Sequence, residues 1–154
     1  MCGICERIQM IQNHTNPYFV MELETGYVVM GDHQRIHGYT LFLCKHHVHE
    51  LHQLDLTYRT KHLTEMSIVS EAVHRAFHAD KMNIESLGNG ETHLHWHLFP
   101  RIHGDTHVPG PVWWLPKEEL WNDQFRPSDE LLTKMMDELH TELTKLLTSS
   151  ISNA

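Results

Sequence analysis

Cysteine is scarce in this chain: three residues, at positions 2, 5 and 44 of 154, an odd and sparse count that excludes the disulfide framework of a small secreted domain. Long hydrophobic runs are missing too. None approaches the ~18 residues of a membrane helix, and Met1 to Arg7 lacks the basic-then-apolar layout of a signal peptide. The expectation is a soluble protein in a reducing cytoplasm, away from membranes. Positive charge is short as well. Twelve Lys and Arg stand against twenty Asp and Glu, a formal charge of −8, which argues against a nucleic-acid polymer or an anionic membrane as partner. Any phosphate must therefore be held locally. No repeat or low-complexity linker divides the sequence, and its length suits one domain with its own core. Histidine is what abounds. Half-protonating the sixteen imidazoles near their reference pKa would add about eight charges, so net charge is steeply pH-dependent.

The patterning predicts one sheet with covering helices, an α+β arrangement. Tyr18 to Leu23 and Tyr27 to Met30 are β-rich runs joined by the short link Glu24-Thr25-Gly26, which reads as a hairpin. Gly38 opens a third run, Tyr39 to Cys44, apolar on both faces as a central strand would be. From Asp55, a candidate N-cap, Leu63, Met66, Val69, Val73, Ala76 and Phe77 recur at helical spacing. Met82 to Leu87 and His93 to Phe99 read as a second hairpin around Gly88-Asn89-Gly90. Residues 104–127, with four prolines around Val112-Trp113-Trp114 and a short helical piece near Lys117 to Trp121, read as an ordered arm. Ser128 caps a last helix whose leucine and methionine face runs from Leu131 to Leu147, with fraying expected from Thr148.

The chemistry centres on His93-Leu94-His95-Trp96-His97-Leu98-Phe99. A strand's two-residue period puts all three imidazoles on one face, roughly 6.5 to 7 Å apart, while Leu94, Trp96 and Leu98 face the core. Three histidines in register opposite a fully apolar face are hard to explain as satisfied core residues. An amidohydrolase-type metal site needs a larger barrel than 154 residues supply. A cupin would need an acidic ligand that Leu98-Phe99-Pro100-Arg101 lacks, and two long helices fit a jelly roll badly. What remains is imidazole as nucleophile or phosphate ligand. Cys2 and Cys5 have two readings, a Cys-x-x-Cys zinc chelate and two free thiols on a frayed terminus. Cys44 reads as buried packing. His46, His49, His52, His62, His74 and His78 are placed on helix or loop surfaces without a role.

The triad segment resembles the His-φ-His-φ-His-φ-φ motif of the histidine triad (HIT) superfamily, in the bacterial-type nucleotide hydrolase or transferase branch. The likeness runs through Pro100-Arg101 and back through Asn89, Gly38 to Leu43 and Lys45-His46-His47, covering roughly residues 2 to 101. It implies a HIT-like fold, an antiparallel sheet of about five strands with one long covering helix and a C-terminal helix: residues 1–103 as core, 104–154 as the arm and helix of the same domain. It also implies a hydrolase of dinucleoside polyphosphates or nucleoside phosphoramidates, with a purine nucleotide as partner and a homodimer as assembly. His95 is the implied nucleophile, His97 a ligand of a nonbridging phosphate oxygen, and His93 the third catalytic candidate. Asn89 and Thr92 are substrate-binding candidates, although the Gly-Gln-Ser segment of the phosphoramidase branch is absent before the triad and Tyr39 stands where relatives often have His. Asp32 reads either as the carboxylate on the ribose hydroxyls or as a turn residue, and Arg101 either as a polyphosphate contact or as a surface charge. Some bacterial relatives complete a structural zinc site in a way that here gives Cys2, Cys5, His47 and His93; no organic cofactor is implied. The rival reading is a non-catalytic module that binds nucleotide or zinc through the same cluster.

Overall fold

The computed structural model describes residues 1–152, with side chains through Ser149. Strands β1 (Phe19–Glu22), β2 (Gly26–Met30), β3 (Thr40–Cys44), β4 (Lys81–Glu85) and β5 (His95–Arg101) form one sheet in the order β1-β2-β3-β5-β4, every neighbouring pair antiparallel. β3, apolar on both faces, is the central strand, and β5 lies inside the sheet between β3 and the edge strand β4. Leu43 lies opposite His95 and Leu41 opposite His97 on one side, with Glu85 opposite His97 on the other. The strand begins two residues later than the pattern suggests. His93 and Leu94 form its approach, where Leu94 donates to the Val48 carbonyl and accepts from the Cys44 amide. Gly38, at φ +90°, precedes Tyr39 at a point where a Cβ would collide with the Phe77 ring, so only glycine turns the chain into β3.

Helices α2 (Leu56–Ala76) and α4 (Asp129–Ser152) cover one sheet face. Asp55 caps α2 by accepting from the Tyr58 amide, and Ser128 caps α4 by accepting from Leu131. Val28, Met30, Phe42, Trp96 and Leu98 meet Val69, Ala72, Val73, Met135, Leu139 and Leu143 in this core. α4 runs past Thr148 through Ser152, and Asn153 and Ala154, at the end of the tail where fraying is expected, lie outside the described residues. Among the described residues no helix is long and apolar enough to cross a membrane.

Two features depart from expectation. The N-terminus is a helix, α1 (Gly3–Gln12), whereas the short helical piece expected in the arm is present as α3 (Lys117–Leu120). Ile4, Ile8 and Ile11 of α1 pack on Tyr27, Val29 and Leu43 of the second sheet face, a helical spacing that a strand-like first third concealed. Along α2 the inward stripe is also rotated. Leu63 is exposed, whereas His62 and Glu65 are buried with Val69, Ser70, Ala72 and Val73. His62, placed by sequence on a surface, is fully buried because polar partners meet it from both sides. The Trp96 indole N–H donates to His62 Nε2 at 3.1 Å, which leaves the proton on Nδ1 to be donated to Thr25 Oγ1 at 2.9 Å; that hydroxyl in turn donates to Glu65.

This chain has a pH signature. Burial holds the His62 ring down at about 4, against about 6.5 when unfolded. Between those values the unfolded chain takes up a proton that the folded one refuses. The ring's contribution to stability is thus complete above about pH 6.5 and is lost as pH falls toward 4, by about 3 kcal/mol in all. Urea midpoints followed from about pH 7.5 to 4.5 should fall less steeply in His62→Gln than in the parent chain; parallel curves would refute the assignment.

Candidate functional site

The approach to β5 and the start of α1 bring four ligand-type side chains together. Cys2 and Cys5 sit at the cap and first turn of α1, His47 follows β3, and His93 precedes β5; their donor atoms all lie within 4.8 Å of one another. Cys5 Sγ is 3.1 Å from His47 Nδ1 and 3.4 Å from His93 Nδ1, and Cys2 Sγ is 3.6 Å from His93 Nδ1. Zn–S bonds of about 2.3 Å and Zn–N bonds of about 2.0 Å at tetrahedral angles put S and N about 3.5 Å apart. The set therefore has the size and chemistry of a four-coordinate zinc site. His93 is pre-oriented for it. Its Nε2 donates to the Cys44 carbonyl at 2.8 Å, leaving the Nδ1 lone pair toward the thiols. Burial lowers the His93 pKa and raises that of Cys5, which Cys2 raises further.

The other two imidazoles form the chemical centre. His95 is buried, with Nδ1 2.7 Å from the His93 carbonyl and Nε2 3.1 Å from His97 Nε2. His97 Nδ1 lies 2.7 Å from the Tyr39 hydroxyl. Burial, and secondarily His95, pushes the His97 ring down to about 4, so it is neutral at physiological pH. Beside the pair opens a cavity of about 290 Å³ lined by His93, His95, Thr92, Gly88, Ser86, Leu87 and the His49-Glu50-Leu51 turn. Thr92 thus borders the site, whereas Asn89 is at the exposed tip of the same loop, outside this lining.

Asp32 and Arg101 part company. Asp32 follows β2, and its Oδ2 accepts from Arg7 of α1 at 2.6 Å, with Arg126 at 3.8 Å. Its Oδ1 is buried without a hydrogen-bond partner, an acceptor waiting for a donor. Arg101 is neither a surface charge nor a free phosphate contact. All five of its donors are engaged, by both Asp105 oxygens, Asn83, Thr106 and the Gly110 carbonyl, so it clasps the 105–110 loop to the sheet. A second cleft, of about 980 Å³, runs between that loop and β4 without touching the triad.

Three contributors escaped sequence reading. Arg7 required α1 to be seen as a helix, and the Ile4, Ile8, Ile11 spacing was the available signal. Tyr39 was noted only as a departure from relatives. The arm, read only as an ordered segment, folds back onto the chain's own site. Val112, Leu115 and Leu120 pack on Ile36, Tyr39 and Phe99, and Trp113 meets His97 edge-on at 5.5 Å. Trp121 completes an aromatic wall, 6.2 Å from Trp113 and 6.3 Å from Tyr39.

The family model of the HIT domain matches residues 14–104, more than half of the chain. No curated protein matches it. Among solved structures, a histidine triad protein from Bradyrhizobium japonicum is similar at 24% identity over 81% of this chain and 89% of that one, with a TM-score of 0.71. One from Marinobacter aquaeolei is similar at 25% identity over 83% and 89%, also at 0.71. A Zn-bound histidine triad family protein from Mycobacterium smegmatis shares 17% identity over 96% and 99%, at a TM-score of 0.64. These likenesses speak for the fold, and the triad strand lies inside the matched segment. The chain belongs to the HIT domain family.

Proposed function

We propose that this chain is a nucleotide hydrolase that cleaves a dinucleoside polyphosphate or a nucleoside phosphoramidate through a nucleotidyl intermediate on His95. One observation carries the reading: the bond from His95 Nδ1 to the His93 carbonyl. A carbonyl only accepts, so Nδ1 carries the proton and a neutral ring has its lone pair on Nε2. In the first step Nε2 attacks the α-phosphorus, a P–N bond forms, and the P–O or P–N bond to the leaving group breaks; the leaving group departs with the electron pair and is protonated by water. His97 binds a nonbridging oxygen as charge develops. Water then attacks phosphorus, the electron pair returns to Nε2, and a nucleoside monophosphate is released. The unpartnered Asp32 oxygen supports a ribose hydroxyl as its donor, and we take the nucleotide to be a purine. We place the protein in a reducing cytoplasm, where its thiols stay available.

The same geometry supports one structural zinc on Cys2, Cys5, His47 and His93. Four protein ligands leave no open position, so the ion would tie α1 to the sheet without entering the reaction, and His93 would act as ligand rather than catalyst. The free edge of β4, with Ile84, Leu87 and Ile102 exposed, supports a homodimer through that edge.

His95→Ala should abolish turnover of adenosine 5′-phosphoramidate and diadenosine tetraphosphate while nucleoside monophosphate binding stays within about tenfold. The nucleophile's loss costs several kcal/mol of barrier, against about 1 to 3 for a single contact. Binding without turnover in the parent chain would favour a non-catalytic module. Metal analysis of protein purified without added metal should find about one zinc per chain, and chelation should lower the melting temperature while turnover well below melting falls only modestly. A melting temperature unchanged by Cys2→Ser with Cys5→Ser would defeat the zinc site. Light scattering should give a dimer at micromolar concentration; a monomer would defeat that assembly.

A further inference from the structure

Tyr39 is held from every side. Its ring stacks on Phe99, centroids 4.2 Å apart and 8° from parallel, and occupies the space that a side chain at Gly31 would need. Its amide donates to the Ile36 carbonyl, and its own carbonyl accepts from the Gly31 amide and from Gln34 Nε2. The residue is 4% exposed, so its hydroxyl has a fixed address, 2.7 Å from His97 Nδ1.

With His95 neutral, as a nucleophile must be, proton bookkeeping along the site has one solution. The His93 carbonyl accepts from His95 Nδ1, so a neutral His95 has only a lone pair on Nε2. Its neighbour at 3.1 Å, His97 Nε2, must therefore carry the hydrogen. A neutral His97 protonated at Nε2 has a bare Nδ1, and the group facing that nitrogen, the Tyr39 hydroxyl, must donate. The three bonds run one way, from Tyr39 through His97 and His95 to the backbone.

We infer that Tyr39 is the positioning residue of the triad: its O–H donates to His97 Nδ1, fixes His97 as the Nε2–H tautomer, and so aims a hydrogen-bond donor at the phosphate that His95 attacks. The assignment rests on the hydrolase reading for its consequence and on hydrogen-bond geometry for its existence. It also answers a shortage. Arg101 is engaged within its own loop and Arg7 on Asp32, so a neutral N–H of fixed direction is the donor the strand itself presents to a nonbridging oxygen. Were His97 free to take the other tautomer, its Nε2 lone pair would face the lone pair of His95 and repel phosphate oxygen. Burial keeps the phenol well above its ordinary range, so the donor does not ionise under working conditions.

Tyr39→Phe removes one oxygen and keeps the ring stack, so the fold should persist. In two-bond proton–nitrogen correlation spectra of nitrogen-15 histidine-labelled protein near pH 7, with the His97 peak assigned by its loss in His97→Asn, the parent His97 should show a bare Nδ1 and a protonated Nε2. In Tyr39→Phe that pattern should shift toward the Nδ1–H form, and kcat should fall about 10- to 100-fold with KM within about threefold. A parent His97 in the Nδ1–H form, a tautomer unmoved by the substitution, or an unmoved kcat each overturns the inference. A parent chain that turns over no nucleotide defeats the hydrolase reading instead, and the spectra still decide where the Tyr39 proton goes.

Discussion

Strand β5 has imidazoles on one face and Leu94, Trp96 and Leu98 on the other side of the same segment, and a slip of one residue would exchange the two sets. Register is therefore the constraint on which the site depends, and it is held at three points. Before the strand, Leu94 exchanges backbone bonds with Val48 and Cys44. At mid-strand the Trp96 indole is tied through His62 and Thr25 to Glu65 of α2. At the far end the Arg101 guanidinium is gripped by Asp105, Asn83, Thr106 and Gly110. The Trp96 indole, on the core side of β5, thus serves the chemistry on the other face. A purely apolar core would bury as much surface and specify the register less sharply.

Helix α1 couples two parts of the site that are far apart in the sheet. Its first turn supplies Cys2 and Cys5 to the ligand cluster, and one turn later Arg7 reaches Asp32. Ile4, Ile8 and Ile11 on the same helix seat it on Tyr27, Val29 and Leu43. Whatever fixes the first turn also fixes the guanidinium that holds one oxygen of Asp32 and leaves the other bare. Arg35 is likewise occupied, bridging Glu119 and the Asp105 carbonyl to pin the arm. In a chain of net charge −8, these basic groups are engaged by carboxylates and carbonyls, and under the proposed function phosphate recognition falls to neutral donors on β5.

How much of this was legible follows from range. The triad, the Asp55 and Ser128 caps, both hairpins and the Cys2, Cys5, His47 and His93 quartet were readable, because local period or a family motif encodes them. His62 and Arg101 were not. A histidine in a polar helical stretch looks solvated until Thr25 and Trp96 meet it, each more than thirty residues away in the chain. Arg101 beside a strand end looks free until the chain turns back at Asp105. Burial of a polar side chain is decided by partners that period cannot see, whereas burial of Val69 or Leu139 is written in spacing alone.

The abundance of histidine at first suggests a protein tuned to pH throughout, yet the structure separates its imidazoles by environment. His14, His74, His78 and His140 stand exposed on the surface. His62 and His97 are instead held at about 4 by burial, so across the physiological range each keeps its neutral form and a defined hydrogen-bond direction. A charged His97 would carry a proton on both nitrogens and set the Tyr39 hydroxyl against a donor instead of an acceptor. The depressed value and the inferred one-way run of bonds meet at one residue: the aromatic wall of Tyr39, Phe99 and Trp113 packs around His97 and burial keeps its ring neutral, while the Tyr39 hydroxyl, in the proposed arrangement, sets the ring's proton on the side facing His95.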